Sequence, residues 1–349
     1  MSDTSEKNTK MSGRGKAACL GMAIALVATG CSFSGGPRAR IGYLPTATFG
    51  ILFPDPDKLG KHSYGTDFFG EVGGIVYTCK AGHIDLDHVR GNADDVRYLV
   101  KKIREALSKK RKGFSFNLTG EMSTHKIQLT YPPDWDQRPD KDKVIEEIAF
   151  DTAPYLAFYA TTWHEIQTWF GVHFAFMEPE FNSAFSWEDS YSNLIGARLG
   201  VEAVKDTEHS FDDAVTIAIY RKLKELGVQP KETAIRASAS VRGQWYTGTF
   251  IPDMKMRNFD IGLDGAITPT LVPGVADCND EPLTLPAPTL DTLKRYGFTM
   301  TYEIKPNVLE QGRIFKAAGS KKIFPEKHLP ILIEYMKKEA IKRGYKYDE

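Results

Sequence analysis

Between Gly82 and Leu107 the chain reads GHIDLDHVRGNADDVRYLVKKIREAL, and Leu86, Val89, Ala93, Val96, Val100, Ile103 and Leu107 recur three or four residues apart. That spacing places all seven on one stripe of an α-helix, so the helix must bury the stripe and the rest of the fold must supply the cover. Its start is polar. With Asp85 as N-cap, Leu86, Asp87 and His88 fill the first turn, and Ile84 faces Val89 as a hydrophobic staple. Asp85 and Asp87 then satisfy unpaired amides and complement the positive end of the helix dipole. The same dipole disfavours a positive ring at His88, which predicts a lowered pKa and a neutral imidazole, the form a metal requires. His83 lies ahead of the cap. Two helical residues five apart point about 140° from each other, so His83 meets His88 only if the chain turns in before the helix.

The remaining pattern is mostly helical. Thr152, with Pro154 behind it, reads as the cap of a second helix ending near Phe170. Ser186 caps a third through Val204, and Ser210 a fourth through Leu226, closed by Gly227. Lys231 to Tyr246 reads as a fifth and His328 to Arg343 as a closing helix. Ser192, Gly196 and Gly200, four residues apart, suit close helix packing. Gly74 to Cys79 is a short apolar strand. Phe114 to Leu118 and Lys126 to Tyr131 alternate around a turn as an antiparallel hairpin, and Thr299 to Ile304 is a further strand. Residues 41–70 and 264–288, rich in Gly, Pro and Asp, read as loops. These elements predict an α+β fold, a mainly helical single domain over 41–349 with a β-hairpin and a few short strands.

The first thirty residues read as a leader. Arg14 and Lys16 precede a fourteen-residue apolar run, Ala17 to Gly30, which is too short for a spanning helix of about 20 residues. Its end, Ala28-Thr29-Gly30-Cys31, resembles the lipobox of bacterial lipoproteins. That resemblance implies cleavage before Cys31, acylation there, and a tether over 31–40. Ser32 after the cysteine implies sorting to the outer membrane of a Gram-negative envelope, with the domain facing the periplasm. Met11 is as good a start as Met1 for such a leader. Beyond Gly30 the chain carries 41 basic and 43 acidic residues, with no basic stripe evident in the sequence, so nucleic acid is not an expected partner.

Cys19 leaves with the leader and Cys31 takes the lipid, so only Cys79 and Cys278 remain in the folded part. In an oxidising compartment they either form a disulfide or stay apart as buried thiols. A second polar constellation lies in TTWHEIQTWFG, residues 161–171. His164 and Glu165 resemble the start of the His-Glu-x-x-His helix of zinc peptidases, but Thr168 occupies the place of the second histidine. Glu188 and Asp189 in the later stretch FSWEDSYSNLIG stand where a glutamate ligand from a following helix would lie.

Together, YTCKAGHIDLDHVR, WHEIQTWFG and SAFSWEDSYSNLIG resemble a bacterial lipoprotein family filed as domain of unknown function 4056. The resemblance runs from about Gly60 to about Tyr246 and implies a single anchored domain without an assigned activity. It also implies that His83 is a weaker ligand than His88, since that position is often aromatic in such proteins. Two expectations follow. One is a metal-dependent envelope hydrolase, with His164, His88, Glu188 and His83 as zinc ligands and Glu165 as general base. The other is a non-catalytic structural or binding lipoprotein whose polar residues cap helices and knit a buried network. The expected partners are the membrane, through the lipid on Cys31, and an envelope component or small molecule.

Cys31→Ser is expected to abolish lipidation and leave uncut or soluble precursor. Globomycin sensitivity of maturation reads this out, and a variant that still fractionates with membranes at wild-type size contradicts the lipobox.

Overall fold

In the computed structural model the described residues are 36–40, 42–46, 53–65, 70–119, 121–171, 180–249 and 252–348. The leader and Cys31 lie outside them. A short antiparallel pair opens the folded part, β1 (Ile75–Thr78) with β2 (Gly82–Asp85), in the register Ile75 to Asp85 and Thr78 to Gly82. His83 is thus a strand residue whose neighbour across the pair is Tyr77.

Helix α1 (Leu86–Ser108) follows without a break. Asp85 is its N-cap, accepting from the amides of Asp87 at 2.7 Å and His88 at 3.3 Å. The apolar stripe is fully buried, and so is much of the polar face: Arg90, Asn92, Asp94 and Asp95 are all buried. Ordinary amphipathic packing leaves such residues in water, so α1 needs partners on nearly every side.

Two helices supply much of the cover. Helix α2 (Lys141–Trp169) is one continuous helix with Pro154 inside it, so Thr152 is not a cap. The Thr152 hydroxyl is instead buried without a hydrogen-bond partner among the described residues. Val144, Ile145, Ile148 and Ala149 carry the apolar spacing a full turn and more ahead of the proline, and all four are buried, which offsets the lost amide. Helix α3 (Asp189–Lys205) starts later than Ser186, with Glu188 in the capping position; the Ser186 hydroxyl bonds the Glu188 carboxyl, not a helix amide. Asn92 ties the three helices together. Its amide donates to Asn193 at 2.7 Å, and its oxygen accepts from Thr161 at 3.3 Å.

Close approach of α1 and α3 is a matter of glycines. A Cβ at Gly196 would stand 2.3 Å from the Val89 carbonyl oxygen, and one at Gly200 would stand 2.8 Å from the Ala93 Cα. Both contacts are with backbone, which has no rotamer to give.

Helix α4 (Phe211–Glu225) is capped by Ser210, whose hydroxyl accepts from the Asp213 amide, and it ends at Gly227 with φ of 73°. The hairpin forms as β3 (Gly113–Phe116) and β4 (Ser123–Thr130). It extends by a third antiparallel strand, β8 (Thr299–Pro306), which follows the short strands β5 (Met256–Asn258), β6 (Ala266–Ile267) and β7 (Leu285–Pro286). One face of this sheet joins α1, α2 and the closing helix, Pro325–Lys342, in the largest apolar cluster. Cys79 and Cys278 are joined by a disulfide with Cα atoms 4.8 Å apart across 199 residues. A loop of that length constrains the unfolded chain by about 5 kcal/mol in the chain-entropy treatment. Eight α-helices among the described residues, with sheets of two or three strands, make this an α+β fold.

Gly196→Ala is expected to cost about 1–3 kcal/mol by overpacking α1 against α3. Gly312→Ala is the contrast: it lies in a helix with nothing within 4 Å of its added Cβ, and should stabilise by about 0.5–1 kcal/mol. Urea denaturation of both variants checks this, and equal effects would contradict the close approach.

Candidate functional site

The polar face of α1 is covered by residues 36–40 and 42–46, which lie along it as a strap. The Thr119 hydroxyl donates to the Pro37 carbonyl at 2.5 Å, the Arg38 guanidinium pairs with Glu71, and Arg40 reaches Glu71, Asp94 and the Ser63 carbonyl. Arg40 donates to Asp94 Oδ2 from Nε at 3.1 Å and from Nη2 at 2.8 Å. Further on, Gly42 stands against the ring of His88, the Tyr43 amide donates to Asp85, and the Ser238 hydroxyl donates to the Pro45 carbonyl at 2.7 Å. The strap therefore meets the helix at Asp94, His88 and Asp85 in turn.

Around Asp94 the charges balance. His62 sits between two carboxylates, Nε2 2.9 Å from Asp94 and Nδ1 3.2 Å from Glu71. Burial alone would lower its pKa, but Asp94 and Glu71 outweigh burial and raise it. Burial would raise Glu71, yet His62 and Arg40 hold it well below the usual carboxylate range. This group is an ion network with both signs present.

Around His88 negative groups outnumber positive ones. The His88 Nδ1 lies 3.2 Å from Asp189 Oδ1 and 3.9 Å from Asp85 Oδ2. Burial lowers the His88 pKa, but Asp85, Asp189 and Glu165 together push it well above the ordinary value. The neutral imidazole expected from the helix dipole is therefore corrected. A dipole contributes at most about 2 kcal/mol, and three nearby carboxylates outweigh it. Asp85, wholly buried, is pushed up to about 7 by burial, partly offset by His88. Glu188 rises well above its ordinary value through burial and the neighbouring Asp189. One of its oxygens accepts from Ser186 at 2.6 Å; the other, Oε1, is buried without a partner. Burial and mutual repulsion thus raise the carboxyl pKa values here, and the same carboxyls raise that of the histidine.

Glu165 is buried on α2 and accepts from the Phe185 amide at 2.8 Å. Phe185 has φ of 55°, a left-handed conformation that costs a residue with a Cβ about 1–2 kcal/mol, so the carboxylate pins a strained turn. His164 is one residue away, half-buried, and no hydrogen bond or ion pair engages it among the described residues. His83 belongs to a separate aromatic group. The Trp187 indole donates to its Nδ1 at 3.2 Å, so its proton sits on Nε2, facing the Ala234 carbonyl at 3.5 Å. Burial pushes its pKa down to about 4, and it stays neutral.

The structure thus gathers His88, Glu165 and Glu188, adds Asp85 and Asp189, and leaves His83 on other partners. Among the described residues no three His, Cys, Asp or Glu side chains are grouped to hold a metal ion. The donor chemistry agrees. Both Asp85 oxygens already accept backbone amides, and both His83 nitrogens face other partners, so these two residues as arranged are not free to hold a metal. Arg40, His62, Glu71 and Asp94 carry no motif; the available signal was the pair Arg38 and Arg40 in a segment otherwise read as tether.

The shifts fix a pH dependence. The raised pKa of His88 gives stability that is full below about 6.5 and lost as pH rises through the folded value. The raised carboxyls of Asp85 and Glu188 act in the same direction, since ionising them in the folded state is costly. Glu71, held low, contributes stability above about 4.5 that is lost as pH falls. The protein should be most stable at mildly acidic pH and weaken through neutrality. His88→Gln should cost about 2–4 kcal/mol at pH 6 and shrink the fall above pH 6.5. Thermal melts from pH 4 to 9 check this, and an unchanged profile in the variant means that His88 is neutral in the fold.

A family profile described as protein of unknown function, DUF4056, matches residues 25–273, which include the strap, α1, α2 and α3. No curated protein and no solved structure matches the chain. The chain belongs to the DUF4056 family.

Proposed function

We propose that the chain is a lipid-anchored protein of the bacterial cell envelope, attached through Cys31 and facing the periplasm from the outer membrane. Its acid–imidazole cluster is a structural clasp that fastens the segment leading from the anchor onto the domain. The leader and lipobox support the anchor. The clasp is supported by one observation above all: several of the buried polar groups around the start of α1 are committed to holding the fold. Asp85 holds two helix amides and Tyr43 of the strap, Glu165 holds the turn at Phe185, and His83 is fixed between Trp187 and Ala234. Any pull on the anchor is then borne by the Arg40 pairs and by the contacts of Gly42 and Tyr43 with the start of α1.

A hydrolase working by proton transfer is the second reading. The Glu188 Oε1, which has no hydrogen-bond partner among the described residues and belongs to a carboxyl whose pKa burial raises, favours it. In that reading Glu188 is the acid and Glu165 the base. Metal analysis of the full chain purified in the presence of zinc separates the clasp from the hydrolase expected from the zinc-peptidase resemblance. The clasp predicts far less than one zinc per chain, and predicts that His88→Gln and Glu165→Gln lower the melting temperature without altering membrane fractionation. One zinc per chain, lost in both His88→Gln and His164→Gln, overturns it.

A further inference from the structure

The outward side of α1 carries a second feature, separate from the clasp. Arg97, Lys101 and Arg104 lie four and three residues apart and so share one face of the helix. With Lys102 they line a cleft of about 680 Å³ between α1 and the corner where α3 passes into α4. Buried Tyr98 and Ala203 lie at its base, and Tyr64 and Phe211 form an aromatic wall. A stripe of this kind is unexpected in a chain with 45 basic and 45 acidic residues.

The carboxylates at the cleft have other partners. Glu105 is held by Lys109 at 3.0 Å and Arg111 at 2.8 Å, and Asp206 accepts from the amides of Glu208 and His209 and from the His209 ring at 3.0 Å. Arg104 is paired with Glu146. Among the described residues this leaves Arg97, Lys101 and Lys102 outside any ion pair within 4.0 Å, though Lys102 also feels the charge of Glu105. Arg97 is also held in place. Its guanidinium lies 4.3 Å from the Tyr64 ring centre and 4.6 Å from that of Phe211. Two nearly perpendicular rings thus fix the position of the guanidinium, and a guanidinium held this way keeps N–H donors for a phosphate.

We propose that this cleft is a binding site for a phosphate-bearing ligand, with Arg97 holding the phosphate edge-on and Lys101 and Lys102 neutralising its charge. Three cations outside any close ion pair match a phosphate dianion or a pair of phosphodiesters better than a single carboxylate. The apolar base formed by Tyr98 and Ala203 takes the uncharged remainder of the ligand, and the volume is that of an ordinary small-molecule site. The assignment depends on neither the anchor nor the clasp. Two sources share this chemistry: the headgroup of an anionic membrane lipid, and a soluble phosphorylated compound.

Calorimetric titration of the full chain with inorganic pyrophosphate and, separately, with glycerophosphoglycerol tests the site. At least one probe should bind, more weakly as salt rises, and Arg97→Gln with Lys101→Gln should weaken it about tenfold or more. Arg97→Lys, which keeps the charge but loses the fork, should fall between wild type and the double variant. Tighter binding of pyrophosphate identifies a soluble phosphate ligand, and tighter binding of the diester identifies a lipid headgroup. The proposal is overturned if neither probe binds at millimolar concentration, or if the double variant, with an unchanged melting temperature, binds as the wild type does.

Discussion

Arg40 lies between Glu71 and Asp94, and the fold depends on that arrangement. Asp94 is wholly buried on a helix that is itself enclosed, and a carboxyl group there is costly without cationic partners. The counter-charge comes from the strap and from His62, not from α1's own neighbours in sequence. Once Arg40 is in place the strap is committed to run along the helix, which brings Gly42 over His88 and the Tyr43 amide onto Asp85. Helix, strap and the loop that bears His62 and Glu71 therefore order together.

The two clusters along α1 solve the same problem differently. At Asp94, charges of opposite sign offset one another. At His88, Asp85, Asp189 and Glu165 act on one imidazole and raise its pKa, while Asp85 and Glu188, buried beside other carboxyls, have their own pKa values raised. A site of the second kind is sensitive to pH and costs stability when its protons leave. Breaking either cluster loosens the start of α1, where Asp85 is both the helix cap and a contact of the strap.

Local signals were legible in the sequence. The apolar spacing of α1, the Asp85 cap, the Ser210 cap with its Gly227 stop, and the alternation of the hairpin each depend on residues close together in the chain. What could not be read depends on distant partners. Thr152 beside Pro154 has the composition of a helix start, but apolar positions upstream that pack on α1 continue the helix through it. Ser186 has the form of a cap, yet Glu188 takes its hydroxyl. The pKa of His88 is raised by Asp85 three residues before it, and also by Asp189 and Glu165, which lie 101 and 77 residues further along the chain and which no local rule reports. Arg38 and Arg40 read as tether for the same reason.

A double-mutant cycle on Arg40 and Asp94 tests this account most directly. Unfolding free energies of Arg40→Ala, Asp94→Ala and the double variant give the coupling between strap and helix without assigning a function to either. If the strap supplies the counter-charge that lets α1 stay buried, each single variant is strongly destabilised and the double variant is much less so than their sum, with a coupling of about 2–3 kcal/mol. Additive losses, within about 0.5 kcal/mol, would mean that the strap lies on the helix without supporting it.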